Sequence, residues 1–144
     1  MIALSISAGA ATKLAAICRD ALPREAAGFL LGRVDDRIAI VTDIAPARES
    51  ATGIDSFAIP DHELRRAAAY AADRGERIVA LYHSHPSGET RLSASDRAAL
   101  RHSRWPWVIV TVAMDGGDAT LSGYAPGEGG IAIRITTIDP AIPR

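Results

Sequence analysis

The stretch RIVALYHSHP at residues 77–86 carries the strongest structural signal in this chain. Apart from Arg77 itself, the part Arg77–Tyr82 is apolar and does not alternate between apolar and polar residues, which is typical of a strand buried on both faces. We therefore predict a central strand that ends at His83. Successive strand side chains point to opposite faces, so His83 and His85 project the same way and form a two-nitrogen chelate. Pro86 then stops the strand.

A carboxylate follows the two histidines near the start of a predicted helix at residues 93–103. The loop between them is short enough to fold back and place Asp96 beside the imidazoles. Two neutral imidazoles and one carboxylate leave the fourth position of a tetrahedral zinc ion open to water, as in catalytic sites. No cysteine lies within reach, which excludes a closed, sulfur-rich site. The alternative is a pair of surface histidines followed by a capping box, with Ser93 at the N-cap and Asp96 at N3.

The surrounding sequence predicts a sheet with helices packed on it. Strands follow from apolar runs or alternation, including a short edge strand at the N-terminus, and helices follow from apolar positions at i, i+3, i+4 and i+7. The order of these elements favours an α/β or α+β fold with helices on both sides of a mixed sheet. The predicted strands are 2–7, 26–33, 37–44, 56–59, 77–82, 107–113, 119–125 and 131–138, and the helices are 12–22, 60–75 and 93–103.

Length and composition limit the kind of protein. The chain has 144 residues, which suits one domain over 1–144 and is too short for two independent cores. A formal net charge of -1 and a pI near 6.4 argue against a nucleic-acid or anionic-lipid partner. No apolar run approaches the roughly 18 residues of a membrane span. The single Cys18 cannot form an internal disulfide, so a reducing cytoplasmic location is expected.

A water activated by such a metal needs a base that takes its proton and hands it to a leaving amine. Glu25 is our candidate, because it lies between the first predicted helix and a glycine-bearing strand. Spacing alone does not select it from the other glutamates of the chain. The competing residues are Glu49, Glu63, Glu76, Glu89 and Glu128.

Three segments together resemble a known motif. EAAGFLLG at residues 25–32 is followed by HSHP at 83–86, six further residues, and SASD at 93–96. This combination resembles the JAMM (MPN-plus, Mov34/PAD-1) metalloproteases, in which a glutamate precedes Gly-x-Leu-x-Gly and His-x-His-Pro is followed by Ser-x-x-Asp. The chain is similar to the single-domain prokaryotic type over nearly its whole length. The resemblance implies a three-layer, cytidine-deaminase-like MPN fold with a mixed, mostly antiparallel sheet flanked by helices.

The resemblance also implies a role for each motif residue. His83, His85 and Asp96 would bind one zinc ion. Glu25 would activate the zinc-bound water and then protonate the leaving nitrogen, while Ser93 would hold the oxyanion through a hydrogen bond. Family members hydrolyse the peptide or isopeptide bond after the C-terminal glycine of ubiquitin or a ubiquitin-like protein, and bacterial relatives trim or release sulfur-carrier proteins. The expected partner is therefore a ubiquitin-like or sulfur-carrier protein that ends in Gly-Gly.

The chain departs from the family pattern in three respects, the first of which is Ala27, where many relatives have cysteine. Leu92 stands where a proline often precedes the motif serine, which leaves the ligand spacing intact. The segments 48–56 and 114–119 are short where ubiquitin-specific relatives carry insertions, so selectivity for ubiquitin chains stays open. Exposure of Phe57, Trp105 or Trp107 would allow a homodimer.

Two other functions compete with the protease. The first is a non-catalytic MPN scaffold or binding module, but such relatives generally lack a ligand and here every motif position is filled. The second is a zinc deaminase, which needs a Cys-x-x-Cys pair that this chain does not have. The zinc protease is therefore the preferred prediction.

Overall fold

A computed structural model describes residues 3–48, 51–53, 56–112, 119–127 and 130–138. The short segments noted at 48–56 and 114–119 lie partly outside these ranges. Among the described residues, no helix is long and apolar enough to cross a membrane. The elements are β1 (Ala3–Ser7), α1 (Ala8–Ala21), β2 (Ala27–Asp35), β3 (Ile38–Pro46), β4 (Ala51–Gly53), β5 (Ser56–Ala58), α2 (Asp61–Asp73), β6 (Arg77–Ser84), α3 (Ala94–Leu100), β7 (Trp107–Thr111), β8 (Thr120–Ala125) and β9 (Ile131–Ile138).

One sheet closes on itself in the order β1, β3, β2, β6, β7, β8, β9. Neighbouring strands are antiparallel, except that β1 runs parallel to β3 and to β9, and β6 runs parallel to β7. The prediction of a mixed, mostly antiparallel sheet is confirmed. The prediction that the first strand lies at an edge is wrong, because β1 pairs with a strand on each side. Because β1 and β9 pair with each other, neither strand exposes an unpaired edge on that side.

Helices cover both faces of the sheet, as predicted. Helix α1 packs Leu14 and Cys18 into a core shared with β1, β3, β6 and β7. On the other face, α2 contributes Ala67 and Ala71 to a second core. Helix α3 contributes Leu100 to a third. Burial raises the pKa of the Cys18 thiol to about 12, so this cysteine is an inert core residue.

The first helix begins earlier than its apolar periodicity predicts. Ser7 is the N-cap, and its hydroxyl accepts a hydrogen bond from the Ala10 N–H at 3.1 Å. Helix α1 therefore starts at Ala8, directly after β1 and well before the predicted start at Thr12. A serine N-cap satisfies one of the first free amides of a helix, and such a local contact needs no apolar repeat.

The carboxylate of Asp43 on β3 links the two long helices. It accepts hydrogen bonds from Lys13 Nζ at 2.8 Å and from the Tyr70 hydroxyl at 3.1 Å. Burial opposes the charged form, but these donors and the Ile44 N–H outweigh it and lower the pKa of Asp43. The link between α1 and α2 is therefore made by the ionised side chain.

Replacing Asp43 with asparagine is expected to lower the free energy of unfolding by about 1 kcal/mol at neutral pH, since the half-exposed Lys13 is screened by water. A carboxyl group whose pKa is depressed by folding stabilises the protein above its unfolded-state pKa, and the effect disappears as the pH falls through the folded-state value. Urea unfolding of both proteins at about pH 7 and about pH 3 checks this. A difference that is equal at both pH values would contradict it.

Gly32 on β2 is required by a close approach of β3. A Cβ atom there would overlap the Ile40 carbonyl oxygen and lie 2.9 Å from the carbonyl carbon. Because backbone cannot move aside as a side chain can, Gly32→Ala is expected to cost about 3 kcal/mol of stability, measured by urea unfolding. Gly9 on α1 is the control, since a Cβ atom added there would meet no atom within 4 Å. Gly9→Ala should instead stabilise by about 0.5 kcal/mol, and equal effects at both glycines would refute the steric argument.

Candidate metal centre

The two histidines lie at the end of β6, His83 within the strand and His85 directly after it. Strand β6 lies between β2 and β7, with His83 opposite Ala27 on one side and Ile109 on the other. The backbone continues to be held past the strand, because the His85 N–H donates to the Val110 carbonyl at 2.9 Å. The two imidazole rings lie on the same side with their centroids 4.9 Å apart. The predicted chelating pair is therefore present at the end of the central strand.

The carboxylate of Asp96 meets both imidazoles. Its Oδ1 lies 3.3 Å from His83 Nε2, and its Oδ2 lies 3.1 Å from His85 Nε2. The side chains of His83 and Asp96 are buried, while that of His85 is 12% exposed. One ligand atom from each of the three residues lies within 4.8 Å of the other two. This group can hold a metal ion, in agreement with the ligand set predicted from the sequence.

The capping box at the start of α3 places Asp96. The Ser93 hydroxyl accepts from the Asp96 N–H at 3.0 Å, and Asp96 Oδ2 accepts from the Ser93 N–H at 2.9 Å. On the sequence alone, a capping box and a metal ligand were alternatives. The structure combines them, since one carboxylate oxygen caps the helix and both oxygens face the histidines.

A backbone carbonyl orients His85 for metal binding. Its Nδ1 lies 2.8 Å from the Glu89 carbonyl oxygen, which can only accept a hydrogen bond. In the neutral ring that binds a metal ion, Nδ1 therefore carries the proton, and Nε2 is the nitrogen available as a ligand. Sequence reasoning missed this contact, because a backbone acceptor has no residue-type signal.

Charge within the cluster shifts the pKa values of its members. Hydrogen bonding to Asp96 raises the pKa of His85 above its ordinary value. Burial disfavours the charged form of His83, but contacts with Asp96 and Glu25 outweigh it and raise the pKa of this ring as well. Burial likewise opposes ionisation of Asp96, yet the two histidines hold its pKa well below the usual range. The cluster thus keeps a carboxylate charged in a buried position, where cations are attracted.

Glu25 is the glutamate that the fold brings to this cluster. Its Oε1 lies 3.2 Å from His83 Nδ1, and its side chain is 38% exposed. The adjoining residue is tied to β6, because the Ala26 N–H donates to the Ser84 hydroxyl at 2.8 Å. The side chains of three other glutamates have partners away from the cluster: Glu63 pairs with Arg66, Glu76 contacts Thr42 and Arg74, and Glu89 pairs with Arg91. The remaining two, Glu49 and Glu128, lie outside the described residues. Among the glutamates that the structure describes, the side chain of Glu25 is therefore the one recorded in contact with a histidine of the cluster.

Two buried side chains, Trp107 and Leu92, belong to the core that lies next to the cluster. Trp107 packs edge-on against His83, with ring centroids 5.6 Å apart, and its indole N–H donates to the Ser103 hydroxyl at 3.1 Å. Leu92 is buried in the same core as Leu100 and Trp107. The leucine that replaces the family's proline therefore anchors the loop ahead of Ser93 by burial.

Replacing Ser93 with alanine is expected to lower the free energy of unfolding by about 1 kcal/mol, because the Asp96 N–H loses its acceptor at the start of α3. Ser93→Thr is the matched control, since threonine keeps a capping hydroxyl and should remain close to wild type. Chemical unfolding of the three proteins checks the expectation. An alanine variant as stable as the wild type would show that the Ser93 hydroxyl contributes nothing to the cap.

Comparison with known proteins gives a family and a fold. The sequence profile described as prokaryotic homologs of the JAB domain matches residues 7–122. No curated protein sequence matches the chain.

Solved structures show the same fold. A protein from Desulfitobacterium hafniense is similar with a TM-score of 0.82 and 21% identity, covering 94% of this chain and 93% of that one. A protein from Salinibacter ruber is similar with a TM-score of 0.70 and 29% identity over 97% and 95% of the two chains. A JAB1/MPN domain protein from Archaeoglobus fulgidus shares the fold with a TM-score of 0.63 and 17% identity over 95% and 98%.

Proposed function

The chain belongs to the family of prokaryotic homologs of the JAB domain, and from this membership we propose that it is a zinc-dependent peptidase. The bond it hydrolyses is the peptide or isopeptide bond after the C-terminal glycine of a ubiquitin-like or sulfur-carrier protein. The observation that carries the proposal is Glu25, a partly exposed carboxylate 3.2 Å from a histidine of the metal-ligand group. A purely structural metal site does not require an exposed carboxylate beside its ligands, whereas a hydrolytic site requires a general base there.

The donor set suits zinc. Two imidazole nitrogens and one carboxylate oxygen match zinc better than calcium or magnesium, which prefer oxygen ligands. His83, His85 and Asp96 would hold the ion and leave one position of a tetrahedral site for water or substrate. When bound, zinc supplies Lewis-acid polarisation of the scissile carbonyl and a water whose pKa is near about 7.

Glu25 would carry the proton through the reaction. Its exposure lets solvent and substrate approach the carboxylate, and its contact with His83 keeps it beside the ligand group. In this position the carboxylate takes a proton from the attacking water and then gives it to the leaving nitrogen. One residue thereby acts first as general base and then as general acid.

Ser93 would stabilise the charge that develops on the substrate carbonyl. Its side chain lies at the exposed N-terminus of α3, where the Asp96 N–H occupies an acceptor site of the hydroxyl. The hydroxyl hydrogen can then be donated to an oxyanion. Ser95 Oγ lies 3.2 Å from Ser93 Oγ and supplies a second polar neighbour at the same helix end.

Intact-mass analysis of candidate substrates tests the proposal. The zinc-loaded protein is incubated with C-terminally extended ubiquitin, with extended sulfur-carrier proteins and with isopeptide-linked forms of each. Cleavage directly after the terminal glycine, lost on chelation and restored by zinc, is expected. A protein that binds zinc stoichiometrically and cleaves none of these substrates would favour the non-catalytic scaffold instead.

A further inference from the structure

We propose that a groove between α2 and the turn before β7 binds an acidic, partly apolar segment of a partner polypeptide. We call it the arginine groove. It has a volume of about 720 Å³ and contains no residue of the candidate metal centre. The residues that define it are Arg65, Ala72, Arg77, Ile78, Arg104 and Trp105.

Most residues that line the arginine groove are apolar. Ala68 and Ala72 line it from α2, Ile78 from the start of β6, and Trp105 and Pro106 from the turn before β7. The alanine side chains are exposed, and the indole ring of Trp105 is half-buried. An aliphatic or aromatic side chain of a partner would lose its contact with water there, which is the main source of affinity for an extended segment.

The rim of the groove is basic. Arg77 and Arg104 are exposed and form no ion pair with any described residue. The Arg104 guanidinium lies over the Trp105 ring, 4.9 Å from its centroid. A guanidinium stacked in this way still directs its N–H groups outward, where they can pair with a carboxylate. Arg65 pairs with Asp61 at 2.9 Å, but both side chains are exposed, so the pair is weak and exchangeable.

The acid in the groove does not neutralise this rim. Glu76 contacts the Thr42 hydroxyl, and its other oxygen lies 3.5 Å from Arg74 Nε. Its charge is therefore already matched by Arg74. The groove is lined by three arginines, Arg65, Arg77 and Arg104, and by the single acid Glu76. The charged residues that line the groove are therefore mainly basic, which selects an acidic partner.

The arginine groove is separated from the candidate metal centre by a second cavity and by Trp107. A smaller cavity of about 330 Å³ has Leu64, Arg104 and Trp105 in common with the groove and is walled on its far side by Trp107. Trp107 in turn packs against His83. The binding inference stands on the groove alone and does not require the proposed hydrolase activity.

Titration with designed peptides tests the inference. The probe is an acetylated, amidated peptide of about eight alternating glutamate and leucine residues, compared with its lysine–leucine and glutamate–serine counterparts. The readout is isothermal titration calorimetry, with chemical shifts of the Trp105 indole to locate the site. Only the glutamate–leucine peptide is expected to bind saturably.

Charge reversal tests the location. The double variant Arg77→Glu, Arg104→Glu is expected to weaken binding at least about tenfold. Its matched control is Arg97→Glu, Arg101→Glu, which makes the same charge change on and beside α3, outside the groove, and should weaken binding less than about threefold. Thermal unfolding of all variants checks that they fold.

Four outcomes would overturn the inference. The first is no saturable binding of the glutamate–leucine peptide, and the second is equal binding of either counterpart. The third is an equal loss in both double variants, which would assign binding to the general field of this face. The fourth is self-association of the chain that is lost in the groove variant, which would make a second copy the occupant.

Discussion

Glu25→Gln is expected to lower substrate turnover by about a thousandfold, the size of effect seen when a general base is removed. Glutamine keeps the size of the side chain and its contact with His83, but it cannot take a proton from water. The metal content should stay at the wild-type level, because Glu25 lies beside the ligand group of His83, His85 and Asp96 rather than in it. Turnover is measured by intact mass and zinc by elemental analysis of the same preparation.

The control for Glu25→Gln makes the same chemical change elsewhere. Glu76→Gln alters a carboxylate that contacts Thr42 and Arg74 and none of the cluster residues. Its turnover should stay within about twofold of wild type. A Glu25→Gln variant that cleaves as fast as Glu76→Gln would remove Glu25 from the mechanism. Loss of zinc together with turnover would instead make it a support of the metal site.

Asp96→Asn is expected to abolish stoichiometric zinc binding. The substitution removes the charged ligand that faces both imidazoles, while the amide can still accept from the Ser93 N–H, so α3 keeps part of its cap. A ligand that binds only the folded state stabilises it by about 4 kcal/mol at a thousand times its Kd. For a domain of this size that corresponds to a rise in Tm of roughly 10 °C. The wild type should show this rise on zinc addition, and Asp96→Asn should not.

Asp73→Asn is the matched control for the metal experiment. Asp73 is exposed at the last turn of α2, away from the cluster, so its replacement should leave the zinc-induced rise in Tm intact. Zinc that raises the Tm of Asp96→Asn as much as that of wild type would mean that the ion binds elsewhere. That result would contradict the proposed zinc site at His83, His85 and Asp96, whatever the outcome for Glu25.

The elements of the fold were largely predictable because each one carries its own periodicity. The apolar run of β6 predicted a strand between two layers, and Val79, Ala80 and Tyr82 are indeed almost completely buried. The position of β1 was not predictable. Alternating residues in a short strand fit an edge as well as an interior position, and pairing with β3 and β9 depends on closure of the whole sheet.

Some residues of the candidate site were likewise predictable from local sequence, and others were not. His83 and His85 are two residues apart on a strand, so their common direction follows from local geometry alone. Asp96 could be expected nearby because the loop is short and the helix start carries its own capping signal. Glu25 is 58 residues from His83, and no local pattern reports a contact across that separation.

The sequence by itself therefore determined which residues are candidate metal ligands, the class of the fold and the family motif, since strand period, helix capping and motif spacing are all visible without knowing how distant segments pack. Only the tertiary structure showed that the Glu25 carboxylate contacts His83, that the Glu89 carbonyl orients His85, and that arginines from α2, β6 and the turn before β7 border one groove. These contacts join distant parts of the chain, and their geometry is set by sheet closure and helix packing rather than by any short stretch of residues.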